Sequence, residues 1–302
     1  MKPHICCYDQ RHLPIVKSSE KSSRTDFGYA EFFVDVCQPS SSRDIFVDPP
    51  PDADDDTRAS HDFMPDDGLG PTPLEEAFGQ HISYAIEIMV RQPRMFVYSV
   101  YVVGSRARLI RWDRSGCVVT ESFDIRHDPD ILCEFLWRFS QTTTAGRGYD
   151  CSVQPVLSDE EDIFKNAITK YAASQLSEGE DLQKAVSRHY QCGQVFAASI
   201  LYQDFTACEE NTRRFFFSRP VTESPFYLIG RATRGYWAVD STTRKVVFLK
   251  DTWRHSPIEE VEGETLRRLL NLGVRHIPSL VWYGDVPYYF PGDRPIDGAS
   301  CS

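Results

Sequence analysis

An excess of positive charge is what this chain most clearly lacks. Across 302 residues, 33 Lys and Arg face 44 Asp and Glu, a formal net charge of −11. That balance argues against general binding to nucleic acid or to an anionic membrane surface. Much of the deficit is local, because Asp48 to Asp67 holds eight Asp and one Arg. C-x-x-C is also missing. The nine cysteines are odd in number and scattered apart from the adjacent Cys6 and Cys7, so they offer neither metal-ligand spacing nor a disulfide framework. There is no N-x-[ST] sequon, and "MKPHICCYDQRHLPIVK" contains no apolar core of a secretory signal. No apolar run approaches the length needed to cross a bilayer. These absences lead to the expectation of an intracellular protein, cytoplasmic or nuclear, with reduced thiols and no membrane partner.

What is present suffices for two folded domains: the chain is 41% hydrophobic and 13% aromatic. Residues 1–24 are polar and read as disordered. "YAEFFVDVC" alternates and is rich in strand formers, and the Asp- and Pro-rich stretch 48–73 reads as a disordered insertion. Leu74 to Arg91 has helical spacing, ended by Pro93. "RMFVYSVYVVG", "RARLIRW" and "CVVTESFDI" are strands separated by turn residues, an antiparallel meander. Helices are predicted over 128–141, 158–174 and 181–190, and strands at "QVFAASILY" and "TRRFFFSR". Residues 25–210 therefore read as one upstream α/β domain. A second domain follows over 215–286, and 287–302 is a tail.

The chemistry lies in "YLIGRATRGYWAVDSTTRKVVFLKDTWRHSPIEEVEGETLRRLLNLGVRHIPSLVWYGDV", residues 227–286. It reads strand, glycine turn, strand, polar turn, strand, helix, strand. A turn from Gly230 to Gly235 lets backbone N–H groups approach a phosphate, and an ordinary hairpin turn has the same appearance. After Lys250, Ser256-Pro257-Ile258-Glu259 has the form of a helix start, with Ser as N-cap and Glu closing a capping box. Gly273 is a natural stop. Glu262 falls amid the apolar stripe Ile258, Val261, Leu266 and Leu269. A carboxylate there must either find a cation, for which Lys250 at the end of the apolar strand is available, or tilt to solvent.

Glycine loop, strand, strand ending in Lys and helix bearing Glu is the order found in the small lobe of protein kinases. "VFLK" stands where that pattern has V-A-I-K. Gly230 and Gly235 match its outer glycines, Ala232 replaces the middle one, and Trp237 replaces the Val. The longer motifs "GRATRGYWAVD", "LKDTWR", "EGETLRRL" and "GVRHIPSLVWYGDV" resemble the fungal-type protein kinase family of mushroom-forming fungi. So do "QPRMFVYSVYVVGSRARLIRWDRSGCVVTESFD" and "GRGYD" upstream. The resemblance spans roughly 25–286. It implies an α+β chain, in which a family-specific α/β domain with its meander precedes a kinase small-lobe-like sheet plus one helix. It also implies ATP with Mg²⁺ as cofactor and Gly230, Gly235, Lys250 and Glu262 as the residues that hold it.

The resemblance stops short of the transfer machinery. Protein kinases carry H-R-D and D-F-G after the Lys and Glu. Here the 52 residues after Lys250 contain neither, and the triplet Asp26-Phe27-Gly28 lies upstream, in the other domain. The expectation is a kinase-like chain without the catalytic lobe, inactive in phosphoryl transfer as it stands. The alternatives are a pseudokinase-like interaction module working through a protein partner, or a degenerate nuclease-like upstream domain. In the last, Asp35-Val36-Cys37 takes the place of an E-x-K strand whose Lys has become Cys37, with Asp26 as a conceivable further metal ligand.

Overall fold

The computed structural model describes residues 2–18, 25–37, 46–64, 73–177, 179–203, 210–221, 233–252 and 261–286. The chain divides into two compact units, with the change from one to the other between Tyr149 and Asp150.

In the first unit the strands are β1 (Ile5–Tyr8), β2 (Ala30–Cys37), β3 (Phe96–Val103), β4 (Arg106–Asp113), β5 (Gly116–Val119) and β6 (Phe123–Asp124). They form one sheet in the order β1-β2-β3-β4-β5, with β6 also on β4. β3, β4 and β5 are the antiparallel meander expected from the sequence. The β3–β4 turn is Gly104-Ser105, with Gly104 at φ 62°, the left-handed geometry a two-residue hairpin needs. β2 and β3 run parallel. Their crossover carries two helices, α2 (Asp55–Ala59) and α3 (Pro73–Arg91).

Strand β2 is buried on both faces because helices cover both. On one face α3 presents His81, Tyr84, Ala85, Ile88 and Met89, one stripe at helical spacing. It packs on Phe33, Val97, Tyr101, Ile110 and Trp112. On the other face Phe135 and Phe139 of α4 (Pro129–Gln141) meet Phe32 and Tyr98 edge-on.

Two expectations for this unit are corrected. The N-terminal segment is not disordered throughout. β1 pairs antiparallel with β2, followed by α1 (Leu13–Ser18), because Cys6 and Tyr8 find apolar neighbours in the core. The acidic stretch is ordered over 48–64, and residues 65–72 lie outside the described residues. Phe46 is buried in the core, and Asp48 accepts hydrogen bonds from Arg108 at 2.6 Å and from the Ser122 amide at 2.9 Å. Proline and aspartate frequency marks a poor strand or helix. It does not reveal a buried arginine sixty residues away.

The second unit holds β7 (Val153–Pro155), α5 (Ser158–Ala173), α6 (Glu180–His189), β8 (Phe196–Gln203), β9 (Glu210–Phe217), β10 (Arg234–Asp240), β11 (Val246–Asp251) and α7 (Glu262–Asn271). Its antiparallel sheet has the order β11-β10-β9-β8-β7. The expected boundary near 210 is therefore displaced: β8 and β9 belong with β10, which pairs with β9 directly. Alternation identifies a strand but not the sheet it joins. Phe164 and Ile168 of α5 pack on one face against Ala197, Phe216 and Val239. The other face buries Ala198, Ile200, Phe215, Tyr236 and Ala238, with Trp282 packed against them.

Candidate functional site

β10 and β11 form a tight hairpin whose turn is built by Asp240. Its carboxylate accepts from the Thr242 amide at 3.0 Å and from the Thr243 hydroxyl at 2.7 Å, and it pairs with Arg213. Burial raises the Asp240 pKa, but these hydrogen bonds outweigh it and hold the carboxyl below its ordinary value. The buried, ionised Asp240 fixes the register, which sets Gly235 opposite Lys250 and Trp237 opposite Phe248. Side chains alternate along a strand, so Gly235, Trp237, Phe248 and Lys250 share the face that carries α5 further along. Trp237 packs at a tilt against Tyr171 of α5, ring centres 5.3 Å apart, and Phe248 meets Trp237 edge-on at 5.5 Å.

Lys250 Nζ pairs with the carboxylate of Glu262. Glu262 is the first residue of α7. A carboxylate there also faces the positive end of the helix dipole. The expected position of Glu262, amid the apolar stripe of a helix beginning at Ser256, is thus corrected. The helix is described only from Glu262, with Val261 as its N-cap, and the segment 253–260 lies outside the described residues. The stop is where the sequence places it. Gly273 has φ 71°, its amide bonds the Leu270 carbonyl, and the Val274 amide bonds the Leu269 carbonyl, the paired bonds of a Schellman end.

Of the four candidate residues, Lys250 and Glu262 are in contact, and Gly235 lies directly across the ladder from Lys250 rather than in a free loop. Gly230 is outside the described residues. Gly235 has a steric reason to be glycine, because a Cβ there would sit 2.5 Å from Cζ of Phe248. Lys250 and Glu262 keep 42% and 58% of their side-chain surface exposed, so an anion can reach the ammonium without the core opening. Phe248 went unremarked in the sequence. Its signal was an aromatic two residues before the Lys on the same strand face.

The other constellations are structural. Asp26-Phe27-Gly28 is a turn: the Asp26 carboxylate caps the Gly28 amide at 3.0 Å, and Phe27 stacks on Tyr84. Asp35 is buried beneath α3, 2.8 Å from His4 Nδ1 and 3.6 Å from His81 Nδ1. Burial raises its pKa, and the two histidines more than reverse that. Cys37 ends the same strand. Among the described residues no group of three or more His, Cys, Asp or Glu could hold a metal ion, so the nuclease-like alternative gains no site. Among the same residues, no helix is long and apolar enough to cross a membrane.

Nothing among curated proteins or solved structures matches the chain. Residues 71–290 match the fungal protein kinase family. That stretch begins just ahead of α3 and runs past the Lys250–Glu262 pair, covering well over half of the sequence, and the chain belongs to that family.

Proposed function

We propose that the second unit holds the phosphates of Mg·ATP in the manner of a protein-kinase small lobe. The observation that carries this is the pairing of Lys250, at the end of β11, with Glu262, at the start of α7. In kinases such a Lys holds nucleotide phosphates while the helix Glu positions it. Here Glu262 would orient the ammonium and Lys250 would meet phosphate oxygens. ATP, when bound, supplies the γ-phosphoryl that the family transfers to Ser or Thr hydroxyls. The residues of this polypeptide supply the holding step.

The test is a thermal-shift titration of the whole chain with Mg·ATP beside Lys250→Ala. A ligand that binds only the folded state raises the melting temperature. A rise that disappears in the variant supports the reading, and a well-folded chain that shows no rise removes it. A second reading, an interaction module covered by another protein chain, is favoured by the exposure of Leu270, Leu272 and Val274 at the end of α7. Sedimentation of a monomer unaffected by Leu272→Ser would remove its support.

A further inference from the structure

Helix α7 has little of its own to rest on. Among the described residues Gly263 is its one buried position, and none of its side chains joins a core cluster. At 10 residues it is too short to hold itself in water, so contacts outside it fix where it lies. Several of those contacts lead to β8. A Cβ at Gly263 would stand 2.1 Å from Cγ of Tyr283, so the bare helix backbone lies directly on that ring. Tyr283 in turn meets Tyr202 of β8 edge-on, ring centres 5.2 Å apart. Further along α7, Arg267 donates to the Tyr202 hydroxyl at 2.8 Å. The segment that carries Tyr283 is itself laid on β8. Trp282 Nε1 donates to the Ile200 carbonyl at 3.1 Å, and the Leu201 amide donates to the Asp285 carbonyl at 3.0 Å. A Cβ at Gly284 would stand 1.9 Å from the Leu201 carbonyl oxygen, so the two backbones touch.

The strand that carries Lys250 is fixed from the neighbouring strand, β9. Its Arg213 sits opposite Ile200 in the ladder. Arg213 pairs with Asp240, which builds the β10–β11 turn, and its guanidinium lies 5.5 Å from the centre of the Trp282 ring. Both members of the Lys250–Glu262 pair are thus referred to one place, the Ile200–Arg213 rung of the β8–β9 hairpin. That hairpin precedes the stretch 227–286 in which glycine turn, Lys and Glu follow one another. A half-exposed ammonium and a half-exposed carboxylate gain little from each other, so their meeting follows from where the two elements are held. We propose that the β8–β9 hairpin is the anchor that sets Glu262 against Lys250, with Tyr202 and Tyr283 as positioning residues remote from any ligand. The consequence for nucleotide affinity rests on the phosphate-holding role of Lys250 proposed above, whereas the anchoring of α7 does not.

The experiment compares the full chain with Tyr202→Phe, Tyr202→Ala, Gly263→Ala and the double variant Gly263→Ala/Tyr283→Ala. It measures hydrogen exchange of the α7 amides without ligand and the dissociation constant for Mg·ATP. Tyr202→Ala removes the support of Tyr283 and the acceptor of Arg267 together. The α7 amides should then exchange about tenfold faster or more, with those of β10 and β11 unchanged, and Mg·ATP should bind about tenfold more weakly. Tyr202→Phe keeps the ring and should stay within about threefold of the parent in both. Gly263→Ala separates position from stability. Alanine suits a helix better than glycine, yet its Cβ here meets the Tyr283 ring. The melting temperature should therefore hold while α7 exchanges faster and Mg·ATP affinity falls about tenfold. The double variant, with room for the added methyl group, should recover most of both. A folded Tyr202→Ala chain whose α7 exchanges as slowly as the parent's overturns the inference, and so does faster exchange spread equally over α7, β10 and β11. If Tyr202→Ala does not fold, Gly263→Ala decides, and parent-like exchange in that variant overturns the inference. A parent that binds no Mg·ATP removes the phosphate-holding reading, and the exchange result then upholds or overturns the anchor by itself.

Discussion

The guanidinium of Arg94 lies 3.4 Å from the centre of the Tyr149 ring. The two residues pair across an isolated antiparallel bridge. They belong to the family-like stretch that opens with "QPRMF" and to "GRGYD", and they lie 55 residues apart in the sequence. Buried Glu31 closes the arrangement: the Tyr149 hydroxyl donates to it at 2.8 Å, and Arg94 faces it at 3.4 Å. Arg94 also donates to the Arg147 carbonyl at 2.6 Å. Burial lowers the Arg94 pKa, opposed by Tyr149 and the Glu31 carboxylate, and burial raises that of Tyr149. Arg94→Met should therefore cost about 3–5 kcal/mol, because it strands a buried carboxylate. Arg94→Lys should recover little, since an ammonium neither stacks flat nor forks. Urea unfolding measures both, and full stability in Arg94→Lys would refute the stacked-guanidinium account.

Ser99 joins two buried rings. Trp112 Nε1 can only donate, so it donates to Ser99 Oγ at 2.8 Å, and the hydroxyl proton is left for His81 Nε2, also at 2.8 Å. This makes neutral His81 the Nδ1–H tautomer, facing Asp35 at a distance too long for a hydrogen bond. Ser99→Ala should cost about 2–3 kcal/mol by orphaning the indole donor and the imidazole acceptor together. A loss under about 0.5 kcal/mol in denaturant unfolding would show that the chain of bonds is not formed.

The same buried imidazole sets a pH dependence. Burial lowers the pKa of His81, and the Asp35 contact only partly opposes it. His189 is lowered by burial and by the charge of Arg188. A group depressed in the folded state adds stability above its unfolded pKa and loses it as pH falls. Unfolded His titrates near 6.5 (about that value in peptides), so the melting temperature should fall as pH drops from about 7 to 5. A second fall below about pH 4 should follow from Asp35, Asp48 and Asp240, each held low in the folded chain. Equal melting temperatures at pH 7 and 5 would contradict a neutral His81.

Gly148 has φ 91°, and a Cβ there would stand 2.0 Å from the Phe96 carbonyl oxygen. That oxygen is backbone and cannot move aside, so Gly148→Ala should cost about 3 kcal/mol or more. The expected signature is a large drop in the urea midpoint, and a drop of less than about 1 kcal/mol would mean that the turn can open.

The pair that carries the proposed function should matter little to folding. Lys250 and Glu262 are each roughly half exposed, and such pairs contribute about 0–1 kcal/mol. Lys250→Ala and Glu262→Ala should each move the melting temperature by no more than a few degrees, while removing the nucleotide effect. Unfolding of either variant would assign the pair to structure instead.

Local pattern was enough for the regular elements. Apolar residues at helical spacing marked α3 and α4, an acidic start marked α5, and runs of strand-forming residues bounded by turns marked β3, β4, β8 and β9, because each signal lies within one element. The family motifs and the order of Lys250 and Glu262 were also legible, since they are written consecutively. Tertiary structure decided what depends on a distant partner. The short strand at Ile5 exists because β2 offers it an edge. Asp48 is ordered because Arg108 is buried beside it. β8 and β9 leave the upstream unit because β10 completes their sheet. Phe248 is buttressed only because hairpin register sets Trp237 opposite it and Gly235 opposite Lys250. Periodicity tells which way a side chain points, whereas register and packing decide what it meets.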